Sequence, residues 1–147
     1  SSLSEKFLGN RKISKNFGKG HVLELQIALS ELSLKYFLYD EVPSTGELRE
    51  RIYTQVTPYV FIVPNLHYEA SFRHLADSLY GSKYYGFLFA LAHASEVYEA
   101  INQNPRENWF RFRKIVLERG GEGNPLEHLK KYLNKTPSIT PFINEFV

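Results

Sequence analysis

The sequence predicts an all-α fold of six or seven helices. Apolar residues recur at three- and four-residue spacing along most of the chain, the period of a helix with one buried face. Asn104-Pro105, Asn124-Pro125 and Thr140-Pro141 each put a capping side chain before a proline at the first helical position, where its missing N–H does no harm. The run 59–63 is the one aromatic and β-branched stretch with strand character, and one strand cannot make a sheet.

Residues 1–20 read as a polar basic arm, with Arg11, Lys12, Lys15 and Lys19 among three glycines. Residues 21–147 read as a single helical domain. Over 21–39, Val22, Leu25, Leu29, Leu32 and Tyr36 draw one apolar stripe and Leu23, Ile27, Leu34 and Phe37 a second, which predicts a helix buried on two sides. Ser44 with Glu47 has the Ser-x-x-Glu spacing of a capping box and opens a helix over 45–56. Pro58 stops it, and 59–63 reads as an extended connection or a helix start closed by Pro64.

Residues 70–79 read as helical, followed by a polar, Gly-containing break over 77–82. The longest helix of the second half spans 83–102, with Leu88, Leu91, Val97 and Ile101 among its apolar positions. A helix over 105–119 turns Trp109, Phe112, Ile115 and Val116 inward and ends in Gly120-Gly121, the residue type a left-handed C-cap prefers. A helix over 125–134 turns Leu126, Leu129 and Leu133 inward, and a short terminal helix carries Phe142, Ile143 and Phe146.

The bulk composition excludes several classes. In 147 residues, 43% apolar and 23% charged, the chain has the make-up of an ordinary globular protein able to bury about 70% of its unfolded surface. Ten Tyr and eleven Phe give it an aromatic-rich core. A net charge of +2 with interspersed signs predicts no nucleic-acid partner. The basic residues Arg106, Arg111, Arg113 and Lys114 around Trp109 read as the outer face of an amphipathic helix. No apolar run reaches the ~20 residues of a membrane span. With no cysteine there is no disulfide, thiolate metal site or cysteine nucleophile.

Catalytic patterns are also missing from the string. No two His are separated by Glu-x-x, the spacing that sets two zinc-binding imidazoles on one helical face. His67 and Glu69 face apart if helical. His93 and Glu96 share a helical face and read as a structural pair, not half a metal site, and Glu96 with Glu99 reads as solvated surface. Gly-x-Ser-x-Gly and a phosphate-binding loop are absent. The residues themselves therefore supply no catalytic group, no metal site and no cofactor.

From Phe72 onward, several unusual features recur in order. Phe72-Arg73-His74-Leu75, a loop, and Tyr84-Tyr85-Gly86-Phe87-Leu88 are followed by Phe112-Arg113-Lys114-Ile115-Val116-Leu117, Gly120-Gly121, Pro125-Leu126, Leu129 and Tyr132-Leu133. This string resembles the closing region of the zinc oligopeptidases of the thimet oligopeptidase and mitochondrial intermediate peptidase family. The resemblance covers residues 72–147 and extends weakly to 28–40. It implies a helical wall of a substrate channel, whose His and loop Tyr residues hydrogen-bond the peptide and the developing oxyanion opposite zinc.

Carried over residue by residue, the resemblance makes His74 the substrate-binding histidine, Tyr84 and Tyr85 the paired tyrosines, and Tyr80 the loop tyrosine. The loop 76–82 departs from the pattern, having lost most of its glycines. Phe87 stands where the family carries the tyrosine credited with oxyanion stabilisation, and loss of one such donor costs about two to three orders of magnitude in rate. The family's metal helix has no counterpart here.

These features predict a protein that is not an enzyme by itself: a non-catalytic helical domain serving as a structural or interaction subunit among other protein subunits. The alternative is the substrate-binding part of a split or fragmentary zinc oligopeptidase whose metal site lies on another chain, with a peptide as ligand. The resemblance implies a mitochondrial location, or a cytoplasmic one if the thimet branch is nearer. The Met-less, basic start fits a processed mitochondrial chain and equally a trimmed one.

Overall fold

The structure, a computed structural model, describes residues 17–38 and 44–146; most of the predicted arm lies outside them. Six α-helices and three 3₁₀ helices make up the described regular structure, with no strand among the described residues. The helices are α1 (Lys19–Leu38), α2 (Thr45–Val56), α3 (Gly86–Gln103), α4 (Pro105–Ile115), α5 (Pro125–Leu133) and α6 (Thr140–Asn144). The all-α prediction holds. The chain divides into two compact units, Ser1–Gly86 and Phe87–Val147.

In the first unit α1 packs on α2. Ala28 and Leu32 of α1 meet Leu48 and Ile52 of α2, and Phe72 and Tyr84 close the cluster. Of the two apolar stripes on α1, the one through Leu32 is the better covered, with Val22 at its start exposed; Ile27, Leu34 and Phe37 of the other are exposed. The Ser44 side chain makes no capping hydrogen bond to α2. Thr57 ends that helix instead, bonding back through both its N–H and its hydroxyl to the Tyr53 carbonyl, at 2.7 and 2.8 Å.

Beyond Pro58 the backbone forms neither helix nor strand until Tyr68, so 59–63 is a connection, entered by a turn that Val60 N–H closes on the Thr57 carbonyl at 3.0 Å. The helix expected over 70–79 is not α-helical. It is two 3₁₀ turns, Tyr68–Ser71 and Arg73–Ala76, followed by a chain of turns to Tyr85. The short turns satisfy the backbone locally through bonds such as Phe72 N–H to Glu69 C=O at 3.1 Å.

In the second unit Val97 and Ile101 of α3 pack on Leu129 and Tyr132 of α5, with Phe112, Ile115, Val116 and Leu133 around them. The Asn108 amide donates to the Ala100 carbonyl at 2.8 Å and ties α4 to the end of α3. Arg111 donates to the Tyr132 carbonyl at 3.1 Å and lies 5.6 Å over the Tyr132 ring, so this member of the basic set is a packing residue.

The proline-marked starts work in three ways. Asn124 caps α5 by accepting the Leu126 N–H at 2.9 Å. Asn104 precedes Pro105, but its side chain turns to Glu107 at 2.8 Å. Thr140 is the first residue of α6, and the Ser138 hydroxyl accepts its N–H at 3.1 Å. Helix α4 ends at Ile115, a 3₁₀ turn Leu117–Arg119 follows, and Gly120 takes φ +53°, a conformation that Gly adopts without steric cost.

Two residues expected to face inward are not covered: Trp109 and Leu126 are exposed, Trp109 at 54%. Helix α4 has no fully buried residue, and Phe110 beside Trp109 is also exposed.

Candidate functional site

The residues that the family resemblance singles out in the first unit converge through their rings. His74, half-buried on the Arg73–Ala76 turn, sits with its ring 5.1 Å from that of Tyr84 and 5.5 Å from that of Tyr80, both edge-on. Phe72 backs the group, 4.9 Å from Tyr84 and 5.5 Å from His74. Tyr84 is buried in the core, whereas Tyr80 is partly exposed. A half-buried imidazole thus stands edge-on between a buried and a partly exposed tyrosine. Tyr85 is half exposed and is not in these ring contacts.

The loop bearing Tyr80 is ordered without the glycines that the family pattern carries. The Asp77 carboxylate accepts the Leu79 N–H at 2.7 Å, and the Asp77 carbonyl accepts the N–H groups of Tyr80 and Gly81 at 3.2 and 2.8 Å. This Asx turn replaces glycine flexibility with side-chain capping. Helix α1 holds the loop from outside: the fully buried Ser33 hydroxyl donates to the Gly81 carbonyl. A Cβ on Gly81 would lie 2.9 Å from the tip of the Phe37 ring, so a larger residue there would push that exposed ring aside.

A second polar centre adjoins this region in sequence and was not recognised there. Glu69 is 7% exposed, yet its Oε1 accepts hydrogen bonds from His67 Nδ1 at 2.9 Å and Thr45 Oγ1 at 3.2 Å. Arg49 Nε stands 3.7 Å from Oε2. The sequence expectation that His67 and Glu69 face apart on a helix is corrected here. They meet because His67 precedes the 3₁₀ turn, outside helical geometry, and both side chains reach the start of α2. The visible signal was the His-x-Glu spacing just ahead of Phe72.

Burial alone would push the Glu69 carboxyl up; hydrogen bonds from His67, the local backbone and Thr45, with the Arg49 charge, outweigh it and hold the group below its ordinary 4.5. Burial and then the Glu69 charge push the Tyr36 hydroxyl above its ordinary 10. Glu69 thus contributes stability that is complete above pH 4.5 and lost as the pH falls through the lower folded value. Urea unfolding from neutral pH down through that range should show an acid-side fall in stability that is shallower in Glu69→Gln; equal slopes would contradict this account.

In the second unit Glu96 is buried, not solvated, and does not pair with His93. Its carboxylate accepts the Ser138 N–H at 2.8 Å and forms an ion pair with the Lys135 ammonium at 2.8 Å. That attraction raises the Lys135 pKa above its ordinary 10.5. Both His93 ring nitrogens are buried and have no hydrogen-bond partner among the described residues, and its ring packs 4.4 Å edge-on to Phe89. His93 lines a cavity of about 470 Å³ with Val97, Trp109 and Phe112. Phe87, in the first turn of α3, is partly exposed.

Among the described residues no three His, Asp or Glu side chains are placed to hold a metal ion. No helix among them is long and apolar enough to cross a membrane.

Comparison with known proteins places these elements in a lineage. Residues 2–147 match the profile of Peptidase family M3. The chain is similar to the mitochondrial intermediate peptidase of Homo sapiens, 35% identical over 104 residues, which is 69% of this chain and 14% of that protein. The Rattus norvegicus mitochondrial intermediate peptidase is 36% identical over 104 residues, again 69% of this chain and 14% of that protein. Saccharolysin of Saccharomyces cerevisiae is 35% identical over 78 residues, 51% of this chain and 11% of that protein. The matched stretch thus spans about one seventh of the length of the mitochondrial relatives. Over nearly its whole length, from residue 2 to residue 147, this chain belongs to peptidase family M3.

Proposed function

We propose that this chain is the peptide-gripping helical part of a zinc oligopeptidase whose metal site is supplied by protein outside these 147 residues. The observation that carries the reading is the meeting of His74, Tyr80 and Tyr84. These positions were matched from the sequence pattern alone, and the two tyrosine rings lie within 5.5 Å of the His74 ring, centroid to centroid. Together His74 and Tyr80 present hydrogen-bonding groups to a peptide, while Tyr84 and Phe72 hold the imidazole in place. The described residues do not fit a zinc ion, so no hydrolytic step is assigned to this chain by itself.

The uncovered apolar surface supports docking against further protein. Trp109 and Phe110 on α4, and Ile27, Leu34 and Phe37 on α1, form exposed apolar sets larger than the scattered single residues that a free surface carries. The likeness to mitochondrial intermediate peptidases supports a mitochondrial location, with a cytoplasmic one as the alternative.

A second reading, a structural subunit that no longer serves catalysis, is favoured by Phe87. That ring has no hydroxyl to donate to an oxyanion.

Native mass spectrometry of the assembly, with zinc analysis and a short-peptide cleavage assay, separates the two. The first reading expects a zinc-bearing partner segment with a His-Glu-x-x-His helix and cleavage that falls about a hundredfold in His74→Ala. An assembly with neither zinc nor cleavage would overturn it and leave the structural subunit. In an active assembly Phe87→Tyr is expected to raise the rate.

A further inference from the structure

The pocket beside Glu69 has the make-up of a binding site. It encloses about 360 Å³ and is lined by Tyr36, Phe37, Thr45, His67, Glu69, Ala70 and Leu75. Its walls are mostly apolar, formed by two aromatic rings and an aliphatic side chain, and the Glu69 carboxylate is the one charged group among these residues apart from any charge on His67. Glu69 is more than nine-tenths buried, and its Oε2 has no hydrogen-bond donor among the described residues.

Arg49 is not part of the wall. It stands at Oε2, leaving Oε1 on the side of Thr45 and His67, which do line the pocket. Of the two donors on Oε1, Thr45 is fixed at the start of α2, while the His67 side chain is 68% exposed. His67 is therefore the displaceable partner: turning outward costs it little burial and frees a charged acceptor at the pocket.

We propose that this pocket binds the side chain of a lysine or arginine residue in a peptide, its cation taking the place of His67 on Glu69 and its methylene stem lying against Phe37, Tyr36 and Leu75. The chemistry fits at each level. A cation on a carboxylate makes a charge-assisted bond, roughly twice as strong as one between neutral groups. The aromatic rings add attraction for a cation, and the apolar wall suits the long stem that both side chains carry.

The pocket also adjoins the candidate peptide site. Leu75 follows His74 in the chain, and Phe37 touches Gly81 in the loop of Tyr80. A peptide held at His74 and Tyr80 can thus place a neighbouring side chain toward Glu69. In that sense the inference rests on the proposed function and deepens it, by naming a basic residue as a specificity element.

The test is an NMR titration of the full chain with acetyl-Ala-Arg-Ala-amide against acetyl-Ala-norleucine-Ala-amide, which keeps the stem and removes the charge. The arginine peptide should bind about tenfold more tightly or better, with shifts at His67 and Ala70. Glu69→Gln should abolish the preference. Ala70→Trp, at an exposed wall position that makes none of the Glu69 hydrogen bonds, should block the pocket while the fold stays intact. His67→Ala should keep or strengthen binding. Equal binding of the two peptides, a preference that survives in Glu69→Gln, or shifts that map elsewhere would each overturn the proposal.

The two readings fail separately. An arginine preference at the pocket in a chain whose native assembly lacks zinc would remove the peptidase reading alone. An active zinc assembly indifferent to Glu69→Gln and to basic residues would remove the pocket alone.

Discussion

Replacing Leu32 by alanine is expected to destabilise the first unit by about 3–4 kcal/mol, the usual cost of a Leu-to-Ala cavity at a site that cannot collapse. Leu32 is fully buried between α1 and α2, in one cluster with Leu48, Ile52, Phe72 and Tyr84. These neighbours are anchored on α2 and on the turns that follow it, which limits relaxation into the void. The effect should reach the candidate site, because Phe72 and Tyr84 also form the backing of His74. Urea denaturation should show a lower midpoint with an unchanged slope. Leu34→Ala, two residues on but exposed, should cost under about 1 kcal/mol. Similar losses at both positions would mean that the uncovered face of α1 is buried in solution.

Glu96→Ala is expected to cost the second unit about 3 kcal/mol, because it leaves the half-buried Ser138 N–H without its acceptor and opens a cavity where the buried Glu96 side chain stood. Glu96 is 1% exposed and lies 42 residues from Ser138 in the chain. Its hydrogen bond fixes the segment before α6 against α3. Glu96→Gln keeps an amide oxygen for Ser138 and should retain most of the stability. Lys135→Ala should matter far less, since that ammonium stays in contact with water. In thermal unfolding Glu96→Ala should melt lowest, Glu96→Gln above it, and Lys135→Ala closest to wild type. A Glu96→Ala protein as stable as wild type would show that Ser138 finds another acceptor.

Both positions illustrate where sequence reading succeeds and where it stops. Leu32 was legible because the helical period assigns it to a stripe without knowledge of any partner. The period could not say which of the two stripes on α1 would be covered; that depended on α2 packing over one of them. Glu96 was read as solvated because a carboxylate in a helix usually is, and only the return of the chain at Ser138 makes its burial tolerable. The His93–Glu96 pairing failed for the same reason: a shared helical face brings two side chains near, but a better donor arrived from a distant segment.

Around the candidate site the limit was local geometry. Residues 70–79 carry enough helix formers to suggest an α-helix, yet the backbone takes two 3₁₀ turns and an Asx turn at Asp77. That departure from helical geometry brings His67 onto Glu69. The same turns carry Tyr80 and Tyr84 to the His74 ring.

The amino-acid string by itself determined the all-α class and most helix starts, and it carried the resemblance to a peptidase family to which the chain belongs. These depend on local propensity, on short-range spacing and on the order of motifs along one chain. The tertiary structure alone decided that Glu69 and Glu96 are buried, that a pocket forms beside Glu69, and that three ring-bearing residues of the pattern meet around one imidazole. Those outcomes depend on which distant segments supply hydrogen-bond donors and packing surface, and no local period encodes a partner that lies twenty-four or forty-two residues away.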